Sequence, residues 1–359
     1  MPMDARWMAD KPIRVMIIAN GAFMRMAVRK LLEKQDDIEI VGDARNGQAG
    51  LEAVTLHHPD VIVLDIDEPL NGVMDQSDLI IKGSYCPVLI LSGLMDGGAE
   101  ATLMALEMGA VDFVSKKSAF VQLDIVQIGE RLLEKVRYWA RHGNRMVVRS
   151  SVARNTETSR PSEAVSRSRL QKKVDLIVVG VSTGGPAMMP KFLMRMGRLA
   201  CPVVIAQHMP AVFTRRFAEH MRNETGLNVL EGSNGMVLEA GMVVIAPGDT
   251  DSVVRESASG KLMLYQHFNH AENIHPSADE LFLSASKLSV GVVGVIMTGM
   301  GNDGTRGAQM LYQQKMPVLV QSPESCVVDG MPRSAIAAGV VADVLSVEDI
   351  GKRLARWCA

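Results

Sequence analysis

Strand-length apolar runs alternate along the chain with stretches whose apolar residues recur every three or four positions, and this alternation occurs in two blocks separated by an unpatterned segment. In the first block, Arg14 to Ala19, Ile38 to Gly42, Val61 to Leu64, Val88 to Leu91 and Val111 to Val114 read as strands, with helical spacing between them, as in Met24 to Lys34 and Ala99 to Met108. Five such alternations predict a doubly wound, flavodoxin-like α/β domain over residues 12–135. From 141 to 173 the periodicity gives way to Arg, Ser, Thr and Glu, and the segment reads as a flexible linker. Residues 174–359 resume the alternation and predict a second, three-layer α/β domain, doubly wound around a mostly parallel sheet.

Three strand ends in the second block carry candidate chemistry. The run Val174 to Val179 leads straight into Gly180-Val181-Ser182-Thr183-Gly184-Gly185-Pro186, where a nucleophile elbow belongs. Val203 to Gln207 ends at His208, and Val292 to Thr298 leads through Gly299-Met300-Gly301-Asn302 to Asp303. Each has a plainer reading: a turn or phosphate loop, a structural histidine, a helix cap. In a parallel sheet, however, the carboxyl ends of the strands share one edge, so Ser182, His208 and Asp303 would converge on one cleft as nucleophile, base and orienting acid. Their order along the chain differs from that of lipase-type α/β hydrolases. A serine hydrolase is the predicted class.

The segments Val178 to Gly185, Ala206-Gln207-His208-Met209-Pro210, Ile245-Ala246-Pro247-Gly248-Asp249 and Thr298 to Gly304 occur in that order. With Phe213 to Ala218 and Cys326 to Arg333, they make the chain resemble the protein-glutamate methylesterase family of bacterial chemotaxis over about residues 174 to 345. The resemblance implies that Ser182, His208 and Asp303 are the catalytic triad, with the main-chain amides of Thr183 and Met300 as oxyanion donors. It further implies methyl-accepting chemotaxis receptors as substrates, deamidation of selected glutamines as a related activity, and a chemotaxis histidine kinase as upstream partner. No cofactor is implied for catalysis.

Composition agrees with this reading. At 359 residues the chain can build two cores, and a formal net charge of −2 gives no reason to expect a nucleic-acid partner. Met1 to Pro12 mixes charges without an apolar core, and the longest apolar runs are only strand-length, so a cytoplasmic protein without a membrane span is expected. Cys86, Cys201, Cys326 and Cys358 are scattered without ligand-like spacing and read as reduced thiols, indicating no metal site.

In the first block Asp65 ends the third strand, Ser92 the fourth, and Lys116 follows the fifth. This resembles the response-regulator receiver, which implies Asp65 as candidate phosphoacceptor and Ser92 and Lys116 as candidate switch residues. The departures are specific to this chain. Ala19-Asn20 stand where receivers place two acids for Mg²⁺, Lys116-Lys117 replaces Lys-Pro, and Glu68 to Gly72 is altered. Mg²⁺ wants carboxylate oxygens, so the metal site is weakened and phosphorylation of Asp65 is not expected, with Asp67 or Glu68 left open as a replacement carboxylate. The receiver is therefore read as degenerate, and the kinase link is weakened with it. A second departure is Asn273-Ile274-His275-Pro276-Ser277-Ala278-Asp279, where the family usually carries a basic pair; it reads as a helix start with Pro276 in the first turn. The rival readings are a non-enzymatic, receiver-linked binding or scaffold module and a nucleotide-binding protein using the Gly-rich turn.

Overall fold

The structure is a computed structural model that describes residues 11–66, 73–93, 96–116, 124–152, 173–267 and 274–358. The chain divides into two compact units, residues 1–158 and 159–359.

The first unit runs β1 (Ile13–Ile18), α1 (Ala22–Leu32), β2 (Ile38–Ala44), α2 (Gly47–His57), β3 (Val61–Ile66), α3 (Val73–Gly83), β4 (Val88–Ser92), α4 (Asp96–Met108), β5 (Asp112–Ser115) and α5 (Asp124–Val152). Its five strands pair in the order β2-β1-β3-β4-β5, all parallel. This is the flavodoxin-like order. Val61 to Leu64 and Val88 to Leu91 are buried along their whole length, as strands covered by helices on both faces must be.

The strands lie within a residue or two of their expected places, but the last helix differs. It continues to Val152, past the expected domain end at 135 and into the stretch from 141 that reads as linker. Leu132, Val136 and Trp139 are buried and anchor it. Beyond such an anchor each further residue adds a hydrogen bond at little cost, and no proline interrupts the sequence before Pro161. The rest of the expected linker, residues 153–172, lies outside the described residues, as do Asp67, the Glu68 to Gly72 loop and Lys117.

The second unit begins with β6 (Leu176–Val181), α6 (Gly185–Met196), β7 (Val203–Gln207), α7 (Ala211–Thr225), β8 (Asn228–Glu231), β9 (Met236–Val237) and β10 (Met242–Ile245). It continues through β11 (Asp251–Glu256), β12 (Leu262–His267), α8 (Ala278–Ala285), β13 (Val292–Ile296), α9 (Thr305–Gln313), β14 (Val318–Gln321), α10 (Gly330–Ala337), β15 (Asp343–Leu345) and α11 (Val347–Trp357). Seven strands form one parallel sheet in the order β15-β14-β13-β6-β7-β10-β8. The order changes direction at β6, with β7 on one side and β13 on the other, which is the switch point where open sheets of this kind carry their sites. A separate antiparallel sheet, β11-β12-β9, has no counterpart in the sequence expectation.

Helices α6, α7 and α11 pack together, as do α8, α9 and α10, and both groups contact the large sheet, giving three layers. Leu176 and Val178 of β6 share a buried cluster with Leu281 and Phe282 of α8, Leu311 of α9 and Met331 of α10. Removing Phe282 from water contributes about 1.5–3 kcal/mol, and its ring end lies 3.6 Å from where a Cβ on Gly180 of β6 would stand.

Candidate active site

Ser182, His208 and Asp303 follow β6, β7 and β13, three neighbouring strands at the centre of the large sheet. The ladder continues past the strand ends and sets their spacing. The Ser182 N–H donates to the Thr298 carbonyl at 2.9 Å, and the His208 N–H donates to the Val181 carbonyl at 3.0 Å. Two absent side chains allow the close approach. A Cβ on Gly180 would lie 2.6 Å from the Ala278 Cβ, and one on Gly299 would lie 2.8 Å from the Ser182 Cβ and 2.2 Å from Met331 Sδ.

His208 Nε2 lies 2.7 Å from Asp303 Oδ2, with each side chain about nine-tenths buried. Asp303 sits at the N-terminus of α8. Its Oδ2 also accepts the Ala278 N–H at 2.7 Å, while Oδ1 accepts the N–H groups of Asp279 and Gly304, each at 2.9 Å, and the Ser277 hydroxyl at 3.1 Å. Burial alone would push this carboxyl up. The His208 hydrogen bond and charge, with the amides of Asp279 and Ala278, outweigh it and hold Asp303 below the usual carboxylate range. An ionised acid of this kind fixes the proton of His208 on Nε2 and leaves Nδ1 as the basic nitrogen.

Of the expected oxyanion donors, Thr183 lies on the Ser182 loop and Met300 on the loop after β13, next to Gly299, where an added Cβ would stand 2.8 Å from the Ser182 Cβ. Thr183 is the next residue and is buried, its carbonyl accepting from the Thr298 hydroxyl at 2.9 Å. Met300 follows Gly299, which the Val328 carbonyl and the Met331 N–H hold at 2.8 and 2.9 Å. Burial, aided by Asp329 and Glu324, pushes the Cys326 thiol in the loop before α10 up to about 12, so it offers no competing nucleophile at neutral pH.

Sequence reasoning missed several supports of this site. The Gln207 side chain donates to the Ser182 carbonyl at 3.0 Å, and the Thr298 hydroxyl links the loops after β6 and β13 to Val328. The segment around His275 does start a helix, but Ser277 is its N-cap, accepting from the Glu280 N–H, and Pro276 precedes the cap instead of occupying the first turn. The Ser/Thr/Asp cap signature three residues before an acid was present at Ser277-Ala278-Asp279-Glu280 and would have located it.

In the first unit Asp65, Ser92 and Lys116 also meet at one sheet edge. Lys116 Nζ pairs with Asp65 Oδ1, both side chains being more than nine-tenths buried. The Ser92 hydroxyl lies 2.6 Å from Thr102 Oγ1, within bonds to the start of α4. Ala19 is buried, and the Arg25 guanidinium donates to the carbonyls of Ala19 and Asn20 at 2.7 and 2.9 Å. Among the described residues there is no cluster of three or more His, Cys, Asp or Glu arranged to hold a metal ion, and no helix long and apolar enough to cross a membrane.

The family pattern CheB methylesterase matches residues 177–354, and the response regulator receiver domain matches residues 15–126. The chain is 40% identical to the protein-glutamate methylesterase/protein-glutamine glutaminase 1 of Oleidesulfovibrio alaskensis, over 95% of its length and 98% of that protein's. The chain belongs to the CheB methylesterase family. It is also 36% identical to the protein-glutamate methylesterase/protein-glutamine glutaminase of Bacillus subtilis, over 94% of this chain and 96% of that one. Among solved structures, the CheB methylesterase catalytic domain of Thermotoga maritima is similar at 31% identity, covering 51% of this chain and 98% of that one, with a TM-score of 0.48. Membership in a hydrolase family favours the enzymatic reading over the binding-module alternative.

Proposed function

We propose that the chain hydrolyses methyl esters of glutamate side chains on chemotaxis receptors in the cytoplasm, with Ser182 as nucleophile, His208 as general base and acid, and Asp303 as the orienting acid. The observation that carries this reading is the 2.7 Å His208–Asp303 pair, whose members follow β7 and β13, the two strands that flank the Ser182 strand β6. Ser182 Oγ attacks the ester carbonyl as its proton passes to His208 Nδ1, and Asp303 stabilises the imidazolium. His208 then returns the proton to departing methanol. Water, deprotonated by His208, attacks the acyl-enzyme and releases the free glutamate. The amides of Thr183 and Met300 face the developing oxyanion; one such donor contributes about 3 kcal/mol. With a glutamine side chain, the same sequence of bonds releases ammonia.

Among the described residues, the donor set around Asp65 does not fit the Mg²⁺ of an ordinary receiver; Asp67 and Glu68 lie outside them. Ala19 brings no side-chain oxygen, Asn20 brings only a neutral amide oxygen in place of a carboxylate, and the carbonyls of Ala19 and Asn20 accept from Arg25. No phosphoryl step is assigned to this unit, and its link to a chemotaxis histidine kinase is weakened by Ala19 and Asn20. The test of the catalytic reading is release of labelled methanol from methylated receptor membranes. The full chain is expected to release it and the Ser182→Ala chain is not; equal release from both would exclude a serine mechanism.

A further inference from the structure

The start of α8 is held from a third direction, by a residue of the small antiparallel sheet. Asp251, the first residue of β11, is completely buried, and its Oδ1 accepts the Ser277 N–H at 2.7 Å and lies 3.0 Å from His275 Nδ1. A helix start needs no such group, since the Ser277 hydroxyl already caps α8. Burying a carboxylate is costly unless donors hold it, so its presence here calls for a use.

The residue that Asp251 grips is the one that reaches the triad. Ser277 Oγ donates to Asp303 Oδ1 at 3.1 Å, and the next two N–H groups, those of Ala278 and Asp279, go to the two Asp303 oxygens at 2.7 and 2.9 Å. Three segments of chain therefore form one relay: β11 fixes the turn before α8, the turn fixes the acid, and the acid fixes His208. We propose that Asp251 and Ser277 are positioning residues for the catalytic acid, setting the orientation of Asp303 against His208 through the first turn of α8. This rests on the reading of Ser182, His208 and Asp303 as a triad.

The physical reason is that the acid acts by orientation. Asp303 Oδ2 must face Nε2 while His208 gains charge, and a carboxylate free to rotate about its last bond would share its time between oxygens. Ser277 and the Asp279 amide occupy Oδ1, which leaves Oδ2 for the imidazole. Small losses of alignment are expensive in such sites.

The full-length chain, assayed for methanol release from methylated receptor membranes, tests this. Ser277→Ala is expected to lower kcat about 10-fold with KM changed less than about two-fold, while Ser277→Thr, which keeps both the cap and the hydroxyl donor, retains at least about a third of the turnover. Asp251→Ala is expected to lower kcat at least as far, and Asp251→Asn, which keeps an acceptor oxygen for the Ser277 N–H, less far. The proton NMR resonance of the His208 Nε2–H should move in Ser277→Ala. A residue that merely capped the helix would lower the melting temperature and leave both kcat and that resonance in place. Folded Ser277→Ala protein with kcat and KM within about two-fold of the parent and an unmoved resonance overturns the proposal, whether or not Asp251→Ala folds. Ser182→Ala run alongside separates the two readings. Turnover retained there removes the triad itself, whereas turnover lost there but kept in Ser277→Ala removes only the positioning role.

Discussion

Asp303 and Asp65 stand at equivalent places, each beyond or at the end of a central strand in a parallel sheet, yet their surroundings make them different groups. Asp303 is held by neutral donors, four from the α8 and α9 starts, and by one imidazole nitrogen. Asp65 is held by a lysine ammonium. The first arrangement keeps a carboxylate ionised while leaving its charge available to an imidazolium that forms and disappears. The second pairs the carboxylate with a lysine, and Ala19 and Asn20 stand where a receiver places two further acids. Topology supplies the place for a site in both units, and the local charge set decides whether chemistry can follow.

The largest effect expected on the working side of this comparison is at the nucleophile. Ser182→Ala should reduce methanol release by about 10⁴-fold or more, because the acyl intermediate forms on its hydroxyl. Its fold should survive, since Ser182 keeps its place through main-chain bonds to Thr298 and from Gln207. Circular dichroism with the esterase assay checks both halves of that statement.

Asp303→Asn comes next, with a loss of about 10²–10⁴-fold. Both Asp303 oxygens accept hydrogen bonds, so an amide NH₂ in either orientation faces donors; the substitution should also cost about 1–3 kcal/mol of stability at neutral pH. The pH dependence follows from the lowered carboxyl value. The stability advantage of Asp over Asn is fully present above the ordinary unfolded value of about 4 and shrinks as pH falls through the lower folded value. Denaturant midpoints of the two proteins should converge below about pH 4, and a constant gap down to pH 2 would mean that Asp303 is not held as an anion.

A smaller effect tests how closely the two loops must approach. Gly299→Ala places a methyl group 2.2 Å from Met331 Sδ and 2.8 Å from the Ser182 Cβ, so one loop must shift. Turnover should fall about 10- to 100-fold, chiefly in kcat, with the remaining fold intact. Unchanged kinetics would show that the Ser182 loop has slack the structure does not display.

These positions divide by how far apart in sequence their partners lie. Ser182, His208 and Asp303 were legible because each is announced by its own strand and turn, and a parallel sheet converts three local signals into one place. The five-stranded sheet, and the central strands β6, β7 and β13 of the seven-stranded one, were legible for the same reason, through continuous apolar runs. The support from Asp251 was not, because it begins a short strand in a separate antiparallel sheet and meets Ser277 across residues that carry no shared periodicity. Likewise the extension of α5 to Val152 was hidden, since polar composition marks solvent exposure and does not by itself end a helix. The Lys116–Asp65 pairing lay between: the residues were named by resemblance, and only the coordinates bring them into an ion pair.

The smallest expected effect is the one that tests the comparison most sharply, because it is an effect close to zero. Acetyl phosphate with Mg²⁺ supplies a phosphoryl donor and the hard cation that receiver chemistry requires, so a competent receiver would change the rate of methanol release. Here Ala19 has no side-chain oxygen to offer a metal, Asn20 offers only a neutral amide oxygen, and the carbonyls of Ala19 and Asn20 accept from Arg25. The rate should change by less than about two-fold in the parent chain and no further in Asp65→Ala. Replacing Ala19 and Asn20 together by Asp restores two carboxylates beside Asp65, which should raise Mg²⁺ affinity measurably by calorimetry. Stimulation of the parent that disappears in Asp65→Ala would break the contrast between the two carboxylates and make the first unit a working phosphoacceptor despite its charge set.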